Sequence, residues 1–199
     1  MNKETYEWCR TWADHANATD LPRVLLVGDS ITNGYQTEVR RLLDGICYVD
    51  MIATSYFVDC PTYHSIHTAL YRDLPYAVVH FNHGLHGVHG STEVYETGVE
   101  SILKELGSAS KLILATSTSV KQRESEEYNE KTMEMVKERN EALFRIAERL
   151  GCPVNDLFTV SLSVPSAYRS KDGVHYTEDG YAEYFAPRVA EQILSALNR

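Results

Sequence analysis

The sequence has few basic residues and no long apolar run, and each shortage excludes a class of protein. Lysine and arginine number 19 against 28 aspartates and glutamates, so the net charge is −9 at pH 7. The phosphates of nucleic acid repel a chain this acidic. No apolar stretch approaches the roughly 20 residues that a membrane-spanning helix needs. We therefore expect neither a nucleic-acid partner nor a membrane partner.

Cysteine is also scarce, and the start of the chain lacks the features of a secretory signal. The cysteines lie far apart and form no CxxC pair, so we expect free thiols in a reducing compartment: Cys9, Cys47, Cys60 and Cys152. Glu4 and Glu7 stand where a signal segment would be apolar. A cytoplasmic protein is expected on both grounds.

Cofactor and metal motifs are missing as well. The sequence contains no GxxxxGK[ST] loop, no GxGxxG after the first predicted strand, no HExxH and no GxSxG. His80, His83, His86 and His89 recur every third residue, but this segment runs from a predicted strand into a glycine-rich loop. Such spacing does not bring the imidazole rings together around a metal. We expect no cofactor and no bound metal.

The sequence does contain an alternation of short apolar runs and longer stretches of helical period. Strands are predicted over 23–28, 46–52, 76–81, 111–116 and 152–156. Helices are predicted over about 3–17, 34–45, 62–73, 91–107, 127–150 and 177–197. This alternation predicts a three-layer α/β/α sandwich around a five-stranded parallel sheet. We expect one domain over 1–199, with a short N-terminal helical extension over about 1–20.

A serine lies in the first turn at the predicted carboxyl edge of the sheet, where α/β proteins bind ligands. The turn reads Gly28-Asp29-Ser30-Ile31-Thr32 and joins the first strand to a helix. Backbone amides and the helix dipole favour negative charge beside Ser30. The alternative is that Ser30 or Thr32 only caps the helix, which is the usual role of these residue types.

A base for this serine is offered by Asp172-Gly-Val-His175, which follows the last predicted strand. In a tight turn the Asp172 carboxylate can bond one imidazole nitrogen of His175 and leave the other free to accept a proton. Alternatively, Asp172 only forms the turn and His175 only starts a helix. Asn82 follows the third strand and can direct its side-chain amide at an oxyanion near Ser30.

Together, these segments resemble the SGNH (GDSL-like) hydrolase family of esterases and lipases. The resemblance rests on residues 28–32, on Asn82 and on residues 172–175. It implies a flavodoxin-like fold and a cofactor-free serine hydrolase with Ser30 as nucleophile, His175 as general base and Asp172 as its orienting partner. It further implies that Asn82 and the Ser30 amide contribute to the oxyanion hole.

The chain departs from the family's pattern at two places. The third block usually reads Gly-x-Asn-Asp, whereas residues 80–83 read His-Phe-Asn-His. The second block usually supplies a glycine amide, whereas residues 53–56 read Ala-Thr-Ser-Tyr. We choose the Ser55 amide to complete the oxyanion hole. The residues expected to contact substrate are Asp29, Tyr56, His83 and His86.

The resemblance suggests a small-molecule ester substrate with a short acyl group. Polar and aromatic loops favour a hydroxylated substrate, so an acetyl ester of a sugar is the preferred prediction. A lysophospholipase, thioesterase or acyltransferase is the alternative within the enzyme class. A non-catalytic ligand-binding domain is disfavoured because Ser30, Asp172 and His175 are all present. The apolar side of the predicted N-terminal helix, with Trp8 and Trp12, is suited to packing on the domain or on a second subunit of a homo-oligomer.

Overall fold

The computed structural model describes residues 3–108 and 110–198. The strands are β1 (Cys9–Trp12), β2 (Arg23–Gly28), β3 (Tyr48–Thr54), β4 (Tyr76–Asn82), β5 (Lys111–Ala115) and β6 (Val154–Asn155). The helices are α1 (Ser30–Leu42), α2 (Pro61–Asp73), α3 (Thr92–Leu106), α4 (Glu130–Leu150), α5 (Leu157–Ser163), α6 (Glu178–Gly180) and α7 (Ala186–Leu197). A 3₁₀ turn covers Ser166–Tyr168, and a π-helical stretch, Tyr181–Phe185, joins α6 to α7.

The six strands form one mixed sheet in the order β1-β3-β2-β4-β5-β6. Strands β2 to β6 pair in parallel, whereas β1 pairs antiparallel with β3 at one edge. Numbered by themselves, the parallel strands run 2-1-3-4-5, which is the flavodoxin-like order. The predicted α/β fold class is confirmed. The predicted strand count is wrong, because a sixth, antiparallel strand extends the sheet.

Both faces of the sheet are covered by helices, and strand β2 shows why its sequence is apolar throughout. Val24 and Leu26 belong to a core cluster with residues of α1 and α7. Leu25 and Val27 belong to a second cluster with residues of α2, α3 and α4. Successive side chains of a strand point to opposite faces, so a doubly covered strand needs a continuous apolar run.

The N-terminal segment contains a strand, and the predicted helical extension over about 1–20 is wrong. Residues 8, 9, 12 and 16 fit one face of a helix, but the backbone here finds its partners on the edge of β3. The Trp8 carbonyl accepts hydrogen bonds from the Ser55 amide at 3.1 Å and from Thr54 Oγ1 at 2.7 Å. This long-range pairing overrides the local periodicity. Among described residues 3–20 there is no helix.

Helices α1 to α4 correspond to the predicted helices, with shifted ends. Helix α1 begins four residues before the predicted start because the Asp29 carboxylate caps it, accepting from the Ile31 amide at 3.0 Å. Helix α4 ends at Gly151, which has φ of 65°, the left-handed conformation that a glycine C-cap supplies.

The two remaining helical regions differ more from the prediction. Helix α5 lies outside the predicted helices. It has seven residues and begins directly after Asp156, whose carboxylate accepts from the Thr159 amide at 3.1 Å. The predicted helix over 177–197 is divided by the π-helical stretch. None of the described helices combines the length and the apolar character needed to cross a bilayer.

Candidate active site

Ser30 is the first residue of α1 and directly follows strand β2. A side chain at Gly28 would collide with the Asn82 carbonyl oxygen and the Thr32 hydroxyl, so the close approach of β2, α1 and β4 requires glycine there. Ser30 Oγ lies 2.7 Å from Nε2 of His175, which stands 145 residues further along the chain. The structure therefore joins two segments that the sequence analysis proposed separately.

Asp172 lies on the other side of His175. Its Oδ2 is 2.7 Å from Nδ1 of His175, and its Oδ1 accepts from the amides of Val174 at 2.8 Å and of His175 at 2.9 Å. Gly173, with φ of 81°, allows this tight turn. The carboxylate is thus held at the imidazole nitrogen that faces away from Ser30.

The electrostatics of the turn keep Asp172 ionised. Partial burial acts to raise the pKa of Asp172, but hydrogen bonds from the His175 ring and from the two amides outweigh it, so the pKa lies below its ordinary value. An ionised Asp172 favours the tautomer of His175 that carries its proton on Nδ1. The lone pair of Nε2 then faces the Ser30 hydroxyl.

Two of the three expected oxyanion donors are engaged elsewhere. The side-chain amide of Asn82 is buried and donates to the carbonyls of Thr116 at 3.0 Å and Ala115 at 3.3 Å. The Ser55 amide donates to the Trp8 carbonyl of β1. The Ser30 amide differs from both, because the first amide of a helix has no partner within that helix. Asn82 and Ser55 are thus bonded within the protein, and their expected role as oxyanion donors stays a prediction.

Asp29 is not a substrate contact either. Its side chain is buried, with 2% of its surface exposed. Besides capping α1, its second carboxylate oxygen accepts from the amides of Gly84 and Leu85, both at 3.3 Å. Asp29 therefore holds the loop after β4 against the start of α1, and the expectation that it binds substrate is wrong.

The other expected substrate contacts are also absent from the described lining of the cleft at Ser30. His83 is buried and packs on Tyr63 with ring centroids 5.1 Å apart. His86 is half-buried and pairs with Glu4 at 3.0 Å. Tyr56 is half-buried, with the Lys3 amine 5.8 Å from its ring centre. These contacts are internal to the protein.

The histidine series does not gather around one point. His80 packs edge-on against Tyr35 of one core cluster, whereas His83 belongs with Tyr63 of the other cluster. His89 is exposed beside Phe57. Within residues 3–108 and 110–198, no group of three or more histidine, cysteine or acidic side chains is arranged to hold a metal ion.

The N-terminal segment supplies cleft residues that the sequence analysis did not assign to the site. A cavity of about 260 Å³ at Ser30 is lined by Trp8, Arg10 and Asn33. An adjoining cavity of about 600 Å³ shares Arg10 and Asn33 and extends along α1 towards α6. Residues 8 and 10 point to the same side of an extended chain, so a strand assignment for this segment would have paired them.

Arg139 of α4 organises the loop after β4 and was also missed. It is fully buried and donates to the carbonyls of Gly84 at 2.9 Å, His86 at 2.6 Å, Gly87 at 2.7 Å and Gly90 at 3.3 Å. This is the loop whose amides bind Asp29. Arg139 therefore supports the turn that carries Ser30 from a distance.

Several solved structures are similar to this chain in fold. No protein-family model matches the chain, and neither does any curated protein. The C-terminal catalytic domain of peptidoglycan O-acetyltransferase A from Streptococcus pneumoniae is similar, with 19% identity and a TM-score of 0.69 over 89% of this chain and 96% of that one. A catalytic mutant of an acetylxylan esterase from Geobacillus stearothermophilus is also similar, with 16% identity and a TM-score of 0.66 over 88% of this chain and 94% of that one.

A GDSL-like lipase from Bacteroides thetaiotaomicron is also similar, with 16% identity and a TM-score of 0.65 over 88% of this chain and 87% of that one. At sequence identities this low, structural similarity is evidence for a shared fold and not for a shared activity. The chain thus shares its α/β fold with these three proteins.

Proposed function

We propose that this protein is a serine esterase of the SGNH type, which cleaves carboxylic esters through an acyl intermediate on Ser30. The observation that carries the proposal is the continuous chain of contacts from Ser30 through His175 to Asp172, with 2.7 Å at each step. A nucleophile, a base and a group that orients the base are the three parts that acyl transfer requires.

In the acylation step, His175 Nε2 takes the proton of Ser30 as Oγ attacks the ester carbonyl. The imidazolium that forms is stabilised by the Asp172 carboxylate at Nδ1. Negative charge develops on the carbonyl oxygen, and we assign its stabilisation to the Ser30 amide at the positive end of α1. The C–O bond of the ester then breaks, and His175 returns the proton to the departing alcohol oxygen.

Deacylation repeats these steps with water as the nucleophile. His175 Nε2 accepts a proton from water as the water oxygen attacks the acyl carbon. Collapse of the second tetrahedral intermediate breaks the bond to Ser30 Oγ, which recovers its proton from His175. The products are a carboxylic acid and free enzyme, and no cofactor takes part.

For the substrate, we propose short-chain esters, acetyl esters of carbohydrates above all. The cavity of about 260 Å³ at Ser30 is small, and Trp8 and Asn33 offer it an aromatic surface and an amide. An aromatic face and hydrogen-bonding side chains suit a hydroxylated ligand. An acetylxylan esterase and a peptidoglycan O-acetyltransferase share the fold, which supports an acetyl group and a sugar.

Acyl transfer to an alcohol is the second candidate. It differs from hydrolysis only in the deacylation step, where an acceptor hydroxyl replaces water. The adjoining cavity of about 600 Å³ supports this candidate because it is large enough to hold an acceptor beside Ser30.

The test is hydrolysis of a chromogenic acetyl ester and of acetylated xylo-oligosaccharides by the wild type, Ser30→Ala and His175→Ala. Ser65→Ala, an exposed serine of α2, is the matched control. We expect both site variants to lose at least about 1,000-fold in kcat and the control to keep wild-type activity. Undiminished activity of Ser30→Ala would refute the mechanism.

A second series of assays addresses the substrate class. Rates for acyl chains from C2 to C12 should be highest for the short chains, because the cavity of about 260 Å³ at Ser30 must also admit the alcohol part of the ester. A preference for long chains would favour the lysophospholipase or thioesterase alternative. Product analysis with a sugar acceptor separates transfer from hydrolysis.

A further inference from the structure

Arg10 is an unneutralised cation beside the candidate nucleophile. It lies on the edge strand β1 and lines both the cavity at Ser30 and the larger cavity that adjoins it. Over the described part of the chain, its guanidinium forms no ion pair and no side-chain hydrogen bond with another residue. Its charge is therefore available to a ligand.

Several other arginines of the protein are used internally, whereas Arg10 lines the cavity at Ser30. Arg23 forms a buried pair with Asp50, Arg139 binds carbonyls of the loop after β4, and Arg40 lies over the ring of Trp12. Each of these guanidiniums has a structural partner. Arg10 is instead exposed in a protein whose acids outnumber its lysines and arginines by 28 to 19.

The charges along the groove restrict where an anion can bind. The larger cavity also contains the carboxylates of Glu38, Glu178 and Asp179, of which Glu38 is paired with Arg41 at 2.6 Å. These carboxylates repel an anion that lies far along the groove. Among the described residues that line the smaller cavity, Arg10 is the one charged side chain. The favourable position for negative charge is thus beside Arg10, at the mouth of the cavity at Ser30.

We propose that Arg10 is a specificity-determining residue that binds a carboxylate on the alcohol part of the ester, within a few bonds of the ester oxygen. A planar guanidinium pairs with a carboxylate through two parallel hydrogen bonds, which fixes orientation as well as charge. The substrate class is then acetylated hydroxy acids or acidic sugars rather than neutral sugars. This inference rests on the proposed esterase function and narrows its substrate.

The experiment compares two acetyl esters of nearly the same shape: 3-acetoxybenzoate carries a carboxylate, and 3-acetoxybenzamide carries an uncharged carboxamide in its place. The ratio of their kcat/KM values is measured for the wild type, Arg10→Gln and Arg10→Lys. Arg188→Gln, an exposed arginine of α7 outside both cavities, is the control. Because each variant acts on both esters, the ratio cancels differences in folding and in intrinsic reactivity.

We expect Arg10→Gln to lower the ratio of benzoate to benzamide about fivefold or more, Arg10→Lys to lower it less, and the control to leave it unchanged. Added salt should reduce the wild-type ratio and leave that of Arg10→Gln nearly constant. An unchanged ratio in Arg10→Gln, or an equal loss for both esters, would overturn the proposal. If the ratio does not respond to Arg10→Gln while hydrolysis still depends on Ser30, only the role of Arg10 is overturned. If hydrolysis survives Ser30→Ala, the esterase mechanism is overturned as well.

Discussion

Three buried histidines predict that the fold loses stability in mild acid. His67, His80 and His83 are 0%, 0% and 1% exposed. Burial lowers the pKa of each from 6.5 to about 3. The unfolded chain therefore takes up protons on these side chains as the pH falls below about 6.5, while the folded protein does not. Stability is present above pH 6.5 and is lost progressively down to the folded pKa values.

The size of the loss follows from the linkage relation. With an unfolded pKa of 6.5 and a folded pKa of about 3, each histidine costs about 2 kcal/mol at pH 5, relative to neutral pH. The three together cost about 6 kcal/mol, a large share of the roughly 5–15 kcal/mol that stabilises a typical domain. Carboxylates with lowered pKa, such as Glu96 and Glu100, act below about pH 4.5, so the interval from pH 6.5 to 5 isolates the histidines.

The assay is urea unfolding followed by circular dichroism at half-unit steps between pH 5 and pH 8. We expect an uptake of nearly three protons on unfolding at pH 5.5, which is a slope of about 3.5 kcal/mol per pH unit. His67→Phe should remove about one third of that slope, whereas His89→Gln, an exposed histidine, should leave it unchanged. A slope below about 1 kcal/mol per pH unit would refute the reasoning, since it means that fewer than one of these rings is held neutral.

Three further predictions concern the site and its support. Arg139→Leu should lower the free energy of unfolding by about 3–5 kcal/mol, because four carbonyls lose a charged donor; a urea-measured loss below 1 kcal/mol would contradict this role. Asp172→Asn should lower kcat about 100-fold or more with little change in KM, because a neutral carboxamide replaces the carboxylate that stabilises the imidazolium of His175. A loss of less than tenfold in steady-state kinetics would contradict this role of Asp172. Gly28→Ala should destabilise the fold by about 2 kcal/mol and reduce kcat, because the new methyl group meets the Asn82 carbonyl; unchanged melting and activity would show that the approach there is looser.

The core of the candidate site could be predicted because its parts are local. Residues 28–32 form one turn and residues 172–175 form another, so the arrangement within each is fixed by neighbouring residues. Both turns follow predicted strands of a parallel sheet, which places them at the carboxyl edge of that sheet. At that edge the structure places Ser30 Oγ 2.7 Å from His175 Nε2. Fold class followed in the same way from the alternation of apolar runs and helical stretches.

The rest could not be predicted because it depends on distant partners. The segment around Trp8 and Arg10 has the residue spacing of one helix face, and its pairing with β3 makes it a strand instead. The side-chain amide of Asn82 donates to the Thr116 carbonyl, 34 residues away in the sequence, and not to a group in the cleft. Burial of His83 likewise results from the packing of α2 on the sheet, which no local pattern records.

The central claim is that Ser30 becomes covalently modified with the help of His175. The most direct measurement is intact-protein and peptide mass spectrometry after treatment with a fluorophosphonate ester, on the wild type, Ser30→Ala, His175→Ala and the Ser65→Ala control. We predict one adduct on the peptide that contains Ser30 in the wild type and in the control, and none in Ser30→Ala. In His175→Ala, labelling should be slowed by at least about 100-fold. An adduct on a different residue, or ester hydrolysis by a wild-type protein whose Ser30 never reacts, would contradict it.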